Sequence, residues 1–288
     1  MQGTDAIGAG DPQSVVNAYF RKEAAYWAEI YERNGIKEAI HKERLRAAVA
    51  MAVGLRLAPA ARVLDVGCGA GLATIGLARQ GLMVEAIDPI QVMVDATRKC
   101  AMEAGVDPQV TARIGDIHAI PFPDQTFELV VALGVLPWLP QVETPLREMS
   151  RVLRPGGHMI VSVDTLWQLR QLADPFLNPL MRTPRRLAGY ILGRFPRGVR
   201  SYVTSLRAFR RALDSEGLKE LAGVALGFGP FTIFKREVLP SSVGLKLNDR
   251  LQSMANRGAP LLRSSGSQYL VLAKKCGVGS KVSKASDW

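Results

Sequence analysis

The stretch "RVLDVGCGAGLATIGLARQG", residues 62–81, decides how the fold is read. Its first part, "RVLDVG", predicts a short apolar strand ending in glycines, and "GLATIGLARQG" predicts a helix closed by Gly81. Asp65, Gly67, Gly69 and Gly71 therefore meet where the strand ends. Glycines there permit a tight turn and a close approach of backbone to ligand, while the following helix offers free N–H groups. A dinucleotide-binding turn reads G-x-G-x-x-G. This one reads G-x-G-x-G, with an acid two residues before the first glycine. A carboxylate at that point sits poorly beside a pyrophosphate and suits a ligand carrying positive charge. A plain strand-to-helix turn with no ligand is the alternative.

Downstream the alternation continues. "VEAID" predicts a second strand, and "IQVMVDATRKCAMEAG" a helix ending at Gly105. "VTARIGD" predicts a third strand. "FELVVALGV" predicts a fourth, nearly continuous in apolar character, as a strand buried on both faces should be. "VETPLREMSRVLRPGG" reads as another helix and "HMIVSVD" as a fifth strand. Strands alternating with helices imply βαβ units and a parallel sheet with right-handed crossovers.

After Asp164 the pattern breaks. Residues 165–203 hold Pro175, Pro179, Pro184 and Pro196, which predicts short helices and turns. "TSLRAFRRALDSEG" restores a helix, with Thr204 as N-cap and Gly217 as stop. "AGVALGF" and "SQYLVLAKK" are the remaining strand candidates, with a helix over "LKLNDRLQSMANRG" between them. Upstream, residues 14–57 read as two helices separated by Gly35. The expected organisation is a disordered stretch at 1–13, a helical cover at 14–57, a ligand-binding core at 58–164, and a basic cap at 165–203. The rest of the sheet with an inserted helix follows at 204–275, then a flexible basic tail at 276–288.

Two more acids stand at strand ends. Asp88 ends the second strand, 23 residues after Asp65, where a carboxylate can accept both hydroxyls of a ribose. Asp116 ends the third; its side chain suits an exocyclic amine while the Ile117 backbone pairs with a ring edge. Each alone could be a helix cap. Together they point to the face where open α/β sheets bind ligands.

The pieces "VLDVGCGAG", "VEAIDPIQVMVDAT", "GDIHAIPFPDQTFELVVALGVLPWL" and "EMSRVLRPGGHMIVSV" resemble class I S-adenosylmethionine (SAM) dependent methyltransferases. Similarity is greatest to the subgroup that includes the ubiquinone and menaquinone biosynthesis enzymes, and there is a weaker likeness to magnesium-protoporphyrin methyltransferases. The resemblance implies a Rossmann-like seven-stranded sheet with its last strand antiparallel, helices on both faces, an N-terminal helical cover and a cap inserted after the fifth strand. It implies SAM as cofactor, S-adenosylhomocysteine (SAH) as product, and no metal. It places Gly67 and Gly69 at the methionine part, Asp88 with Pro89 at the ribose, Asp116 and Ile117 at the adenine, and Leu133 near the amino-acid moiety. Asp65 would orient the glycine loop and the methionine amine. Cys68, inside that loop, reads as packing. The helix "AYFRKEAAYWAEIY" resembles the cover of such enzymes. There Tyr19 and Trp27 are candidate cofactor contacts and Tyr26 and Tyr31 candidate acceptor contacts, able to approach a sulfonium by cation–π contact. Plain amphipathic packing would explain the same aromatics.

Candidate bases for an oxygen or carbon acceptor are His118, after the third strand, and Asp164, at the end of the fifth. His41 is a weaker candidate. Trp138, in "GVLPWLP", and Trp167 suit an apolar acceptor pocket. The N/D-P-P-Y/F motif that grips a flipped base is absent from this sequence at "GVLPWLP". The expected reaction is methyl transfer to oxygen or carbon of a small-molecule or lipid-like acceptor. RNA methylation and a non-catalytic SAM-binding regulator are the alternatives.

The chain has 288 residues, 48% of them hydrophobic and 22% charged, ordinary for a globular protein with a substantial core. Cys68, Cys100 and Cys276 are scattered, which suggests neither a disulfide framework nor a zinc site. With no secretory pattern at the N terminus, the expectation is cytoplasmic. Nothing in the sequence sets an oligomeric state. The net charge of +11 is concentrated: nine arginines and no acid lie between Asp174 and Asp214. Six of the nine fall in Arg182–Arg200, interleaved with Leu187, Tyr190, Ile191, Leu192 and Phe195. That mixture suits a peripheral membrane contact or a lid better than a nucleic-acid clamp, for which no RNA-reading motif is recognised. A solvated basic face is the bland reading.

Overall fold

A computed structural model describes residues 12–23, 35–172, 174–181, 201–234 and 236–276. In chain order, helices α1 (Pro12–Lys22) and α2 (Ile36–Gly54) precede β1 (Arg62–Val66), α3 (Leu72–Ala78), β2 (Met83–Asp88) and α4 (Gln91–Glu103). Then come β3 (Val110–Ile114), β4 (Phe127–Ala132), α5 (Glu143–Val152), β5 (Leu153–Thr165) and the single turn α6 (Leu169–Leu172). The last elements are β6 (Val203–Thr204), α7 (Leu206–Ser215), β7 (Leu218–Leu226), the hairpin β8 (Thr232–Ile233) and β9 (Arg236–Glu237), α8 (Ser241–Asn256) and β10 (Gln268–Lys275).

Seven strands form one sheet in the order β3-β2-β1-β4-β5-β10-β7, and two-residue β6 adds to the end of β5. The pairs among β1 to β5 are parallel, whereas β10 runs antiparallel to both β5 and β7. β1 lies centrally, with Asp65 level with Ala86 on one side and Val131 on the other.

The central strands β1, β4 and β5 are largely apolar because both their faces are covered. Leu64, Val130, Met159 and Val161 face a core shared with Leu146 and Met149 of α5 and Phe209 of α7. Their neighbours Val63, Leu129, Val131 and Ile160 face the opposite core, with Ala48 and Ala52 of α2 and Ile75 of α3. Each fully buried Val, Leu, Ile, Met or Phe among them contributes roughly 1.5–3 kcal/mol by leaving water.

Several boundaries differ from the sequence reading. α5 stops at Val152, and "RPGG" opens β5 instead of closing the helix. Pro155 cannot donate a helical hydrogen bond, and a register shift between β4 and β5 absorbs the extra residues. Thr204 is not the cap of α7: it pairs with Thr165 in β6, and Ser205 Oγ accepts from Ala208 N at 3.2 Å. β7 and α8 begin earlier than read, at Leu218 and Ser241. α1 starts at Pro12, inside the stretch expected to be disordered, with proline at the first helical position where its missing N–H costs nothing. The hairpin β8–β9 was not anticipated. Arg182–Arg200 and the tail beyond Cys276 lie outside the described residues.

Candidate functional site

The C-terminal ends of β1, β2, β4 and β5, roofed by α1 and α2, enclose a cavity of about 210 Å³. This is the crevice that an open parallel sheet presents to ligands. The floor is the loop after β1. Gly67, Gly69 and Gly71 have φ of 68°, 55° and 83°, in the left-handed region that side chains avoid. A Cβ on Gly67 would overlap the Val135 side chain, and one on Gly71 would lie 2.9 Å from Thr97 Cα. Thr97 Oγ1 donates to the Gly69 carbonyl at 2.8 Å, and the N–H groups of Gly67 and Cys68 both donate to the Ile87 carbonyl. The loop is thus fixed by the neighbouring strand and helix.

Two carboxyls flank that loop. Asp65 is 2% exposed and accepts from Thr74 Oγ1 at 2.6 Å. Burial pushes its carboxyl up to about 6 against the lowering effect of that bond, and nearby Asp88 adds to the rise. Asp88 accepts from Gly69 N at 3.1 Å through one oxygen and from Ile90 N at 3.0 Å through the other. Burial raises it too, to about 6, partly offset by those two N–H donors. Both line the cavity, as do Cys68, Pro89 and Leu133. Neither carboxyl has a salt-bridge partner among the described residues, and two buried carboxyls so placed favour a positively charged or multiply donating ligand.

The opposite wall holds a cation. Arg44 of α2 is 7% exposed, lines the cavity, and reaches Gln268 Oε1 from Nη1 at 3.4 Å. Its Nε has no partner among the described residues. Gly134 makes room for it, since a Cβ there would lie 2.8 Å from Nη1. A buried guanidinium so poorly satisfied points to an anionic group in the cavity. Gln268 also reaches Asp164 Oδ1 at 3.5 Å and so links Arg44 to Asp164. Burial raises the Asp164 carboxyl, while Ser201, Arg44, Arg170 and Gln268 oppose the rise. His41, one turn before Arg44, also lines the cavity; burial, with Arg44 and Lys37, pushes its imidazole down to about 3 and keeps it neutral.

Trp138 lines the cavity from a single turn, Leu136–Trp138, after β4. Tyr19 stacks on it at 5.9 Å and Phe20 meets it edge-on at 5.1 Å. α1 is thereby fastened over the site. Phe20 lines the cavity and Tyr19 does not.

The third acid is elsewhere. Asp116 Oδ1 accepts from His118 N at 2.9 Å and contacts His118 Nδ1 at 2.8 Å, so acid and imidazole serve their own loop. Asp116, Ile117 and His118 are not among the cavity's lining residues, and Ile117 is buried in the core. Trp167 is 47% exposed and also outside the lining. Tyr26, Trp27 and Tyr31 lie outside the described residues. Among the described residues no three His, Cys, Asp or Glu side chains group as a metal site would need.

Arg44 was missed in the sequence reading, and a signal for it exists. The buried positions of α2 are Ile36, Ile40, Arg44, Ala48 and Ala52, a strict four-residue stripe with one cation on it. A lone arginine on an apolar helical stripe is a ligand candidate.

Residues 64–161 match the family model described as a methyltransferase domain. Over 169 residues the chain is 34% identical to a malonyl-[acyl-carrier protein] O-methyltransferase of Halorhodospira halophila, covering 57% of this chain and 55% of that one. A ubiquinone biosynthesis O-methyltransferase of Methylocella silvestris is 27% identical over 230 residues, 79% of this chain and 82% of the relative. Magnesium protoporphyrin IX methyltransferase from Synechocystis PCC 6803, solved with bound SAH, superposes with a TM-score of 0.64. That alignment covers 92% of this chain and 100% of the other at 18% identity, a likeness of fold.

Proposed function

We propose that this chain binds SAM in the cavity and transfers its methyl group to an oxygen of a small, largely apolar or lipid-like acceptor. The observation that carries the reading is the charge layout: two buried carboxyls on the glycine-loop side and one under-satisfied buried guanidinium opposite. An amino-acid zwitterion joined to a ribose complements that layout. Arg44 suits the methionine carboxylate, Asp65 and the Gly67–Gly69 backbone the amine side, and Asp88 with Pro89 the ribose. Leu133, which follows β4 and lines the cavity, suits the amino-acid moiety. Asp116 and Ile117 remain the adenine candidates, on the loop after β3.

The bound sulfonium supplies an already activated methyl group. What remains for the chain is to hold the acceptor in line, exclude water and take up a proton. Trp138 and Phe20 supply an apolar wall for the acceptor. Asp164 is the better proton acceptor than His118, because it lines the cavity and burial has moved its carboxyl toward neutral pH. His41, held neutral, suits a hydrogen bond to the acceptor. The names of the two O-methyltransferase relatives favour oxygen over carbon.

The test is incubation of the protein and methyl-labelled SAM with fractionated cell extract. Label in a small-molecule or organic fraction supports the assignment, and its loss with Asp164→Asn supports the proposed base. Label recovered only in RNA would overturn the acceptor class, and no SAM-dependent labelling would overturn the reaction.

A further inference from the structure

The cavity is too small to hold all of the proposed cofactor. Its volume of about 210 Å³ lies below the roughly 300–1,000 Å³ of ordinary ligand pockets, so a nucleoside-bearing ligand extends beyond it. The adjoining strand end on the Asp88 side is that of β3. Asp88 pairs with Ile114, and Gly115 N donates to the Asp88 carbonyl at 3.2 Å. The turn that follows, residues 116–120, therefore hangs directly on the backbone of the ribose candidate.

That turn is braced without the ring of His118. Ala119 N donates to the Asp116 carbonyl at 3.1 Å, and Ile117 and Ile120 are buried in the core. From α5, Glu148 accepts from Ile120 N at 2.9 Å and Arg151 Nη2 donates to the Ile120 carbonyl at 2.9 Å. The bond from His118 N to Asp116 Oδ1 is the ordinary contact of an aspartate with the backbone two residues on. The imidazole adds a second bond to the same oxygen, at 2.8 Å. A carboxylate only accepts, so Nδ1 carries the hydrogen there. With both bonds on Oδ1, Asp116 Oδ2 has no partner among the described residues, and neither has Ile117 N. An acceptor and a donor on consecutive residues complement the amine and ring nitrogen of an aminopurine edge. A 6-oxopurine presents the opposite pair.

We infer that His118 is a positioning residue for the purine: its imidazole holds the Asp116 carboxylate so that Oδ2 is left to accept from the exocyclic amine. The Asp116 side chain is 61% exposed, and the terminal torsion of an aspartate is broad, so without the ring the carboxylate turns freely. The inference rests on the SAM reading above, and it gives His118 a part other than that of proton acceptor.

The experiment is calorimetric titration of the full chain with SAH and with S-inosylhomocysteine, in which a carbonyl replaces the exocyclic amine. The unaltered protein should prefer SAH by at least about thirtyfold. His118→Ala should narrow that preference about three- to tenfold, leaving melting temperature and affinity for the inosine analogue unchanged. His118→Asn, whose amide nitrogen can stand where Nδ1 stands, should restore most of it. A role confined to holding the turn would instead weaken both ligands alike. Equal loss for both, an unchanged preference in His118→Ala, or no preference in the unaltered protein would overturn the inference while leaving SAM binding in place. No binding of either ligand would overturn the SAM reading itself, and the inference with it.

Discussion

The two ends of the cavity are built by different means. At the β1–β2 end, positive-φ glycines, backbone N–H groups and Thr74 hold Asp65 and Asp88 at 2.6–3.1 Å. At the β5 end, Arg44, Gln268 and Asp164 are joined at 3.4–3.5 Å, and the roof consists of ring contacts to Trp138. Backbone-fixed geometry suits the part of a ligand that is the same in every turnover. Side-chain geometry suits the part that differs between enzymes of one fold. Substitutions at the first end should therefore act nearly all or none, and those at the second should be graded.

The largest effect is expected at Gly67. Gly67→Ala adds a Cβ into Val135 at a left-handed position, so it should abolish SAH binding and lower stability by about 1–3 kcal/mol. Retained affinity would break the contrast at its rigid end. Next comes Arg44→Ala, which removes a charge-assisted bond worth about 1.5–3 kcal/mol, or roughly 10–100-fold in affinity. The loss should appear with SAH and not with methylthioadenosine, which lacks the amino-acid group. Equal loss with both ligands would move Arg44 out of its assigned place.

A smaller, graded effect is expected from pH. Asp65 and Asp88 are pushed up to about 6, whereas unfolded carboxyls titrate near 4. Their contribution to stability in the ligand-free protein is present below about pH 4 and is lost as pH rises through about 6. A cationic ligand favours the ionised forms. SAM affinity should rise over the same window and level off above it, and the thermal shift produced by SAM should be larger at pH 7.5 than at pH 5. A flat profile would mean that neither carboxyl senses the ligand. The smallest effect belongs to Trp138→Ala. It should raise the acceptor's KM about three- to tenfold, from lost ring packing, with SAH affinity nearly unchanged.

What could be read in advance follows the same division. The glycine loop, Asp88 and the alternating strands carry local signatures, since turn geometry and burial on both faces constrain residue type position by position. The pairing of Asp65 with Thr74 was not legible, because it depends on the angle at which α3 leaves the loop. Ser205 and Thr204 have similar capping chemistry, and a tertiary pairing with Thr165 decided between them. Asp116 follows β3 as the pattern requires, but its bond from His118 N, two residues on, was not legible. The break in alternation after β5 was legible, whereas the run of arginines expected to form a cap lies outside the described residues. The bond between Thr232 and Asp174 was not legible, because the two are distant in sequence.

The most direct measurement is a calorimetric titration of the full chain with SAH, beside the Asp88→Ala variant. Saturable one-site binding is expected, weakening about a hundredfold or more when the Asp88 carboxylate, proposed above to accept from ribose hydroxyls, is removed. No heat of binding in the unaltered protein, or equal affinity in the variant, would contradict it.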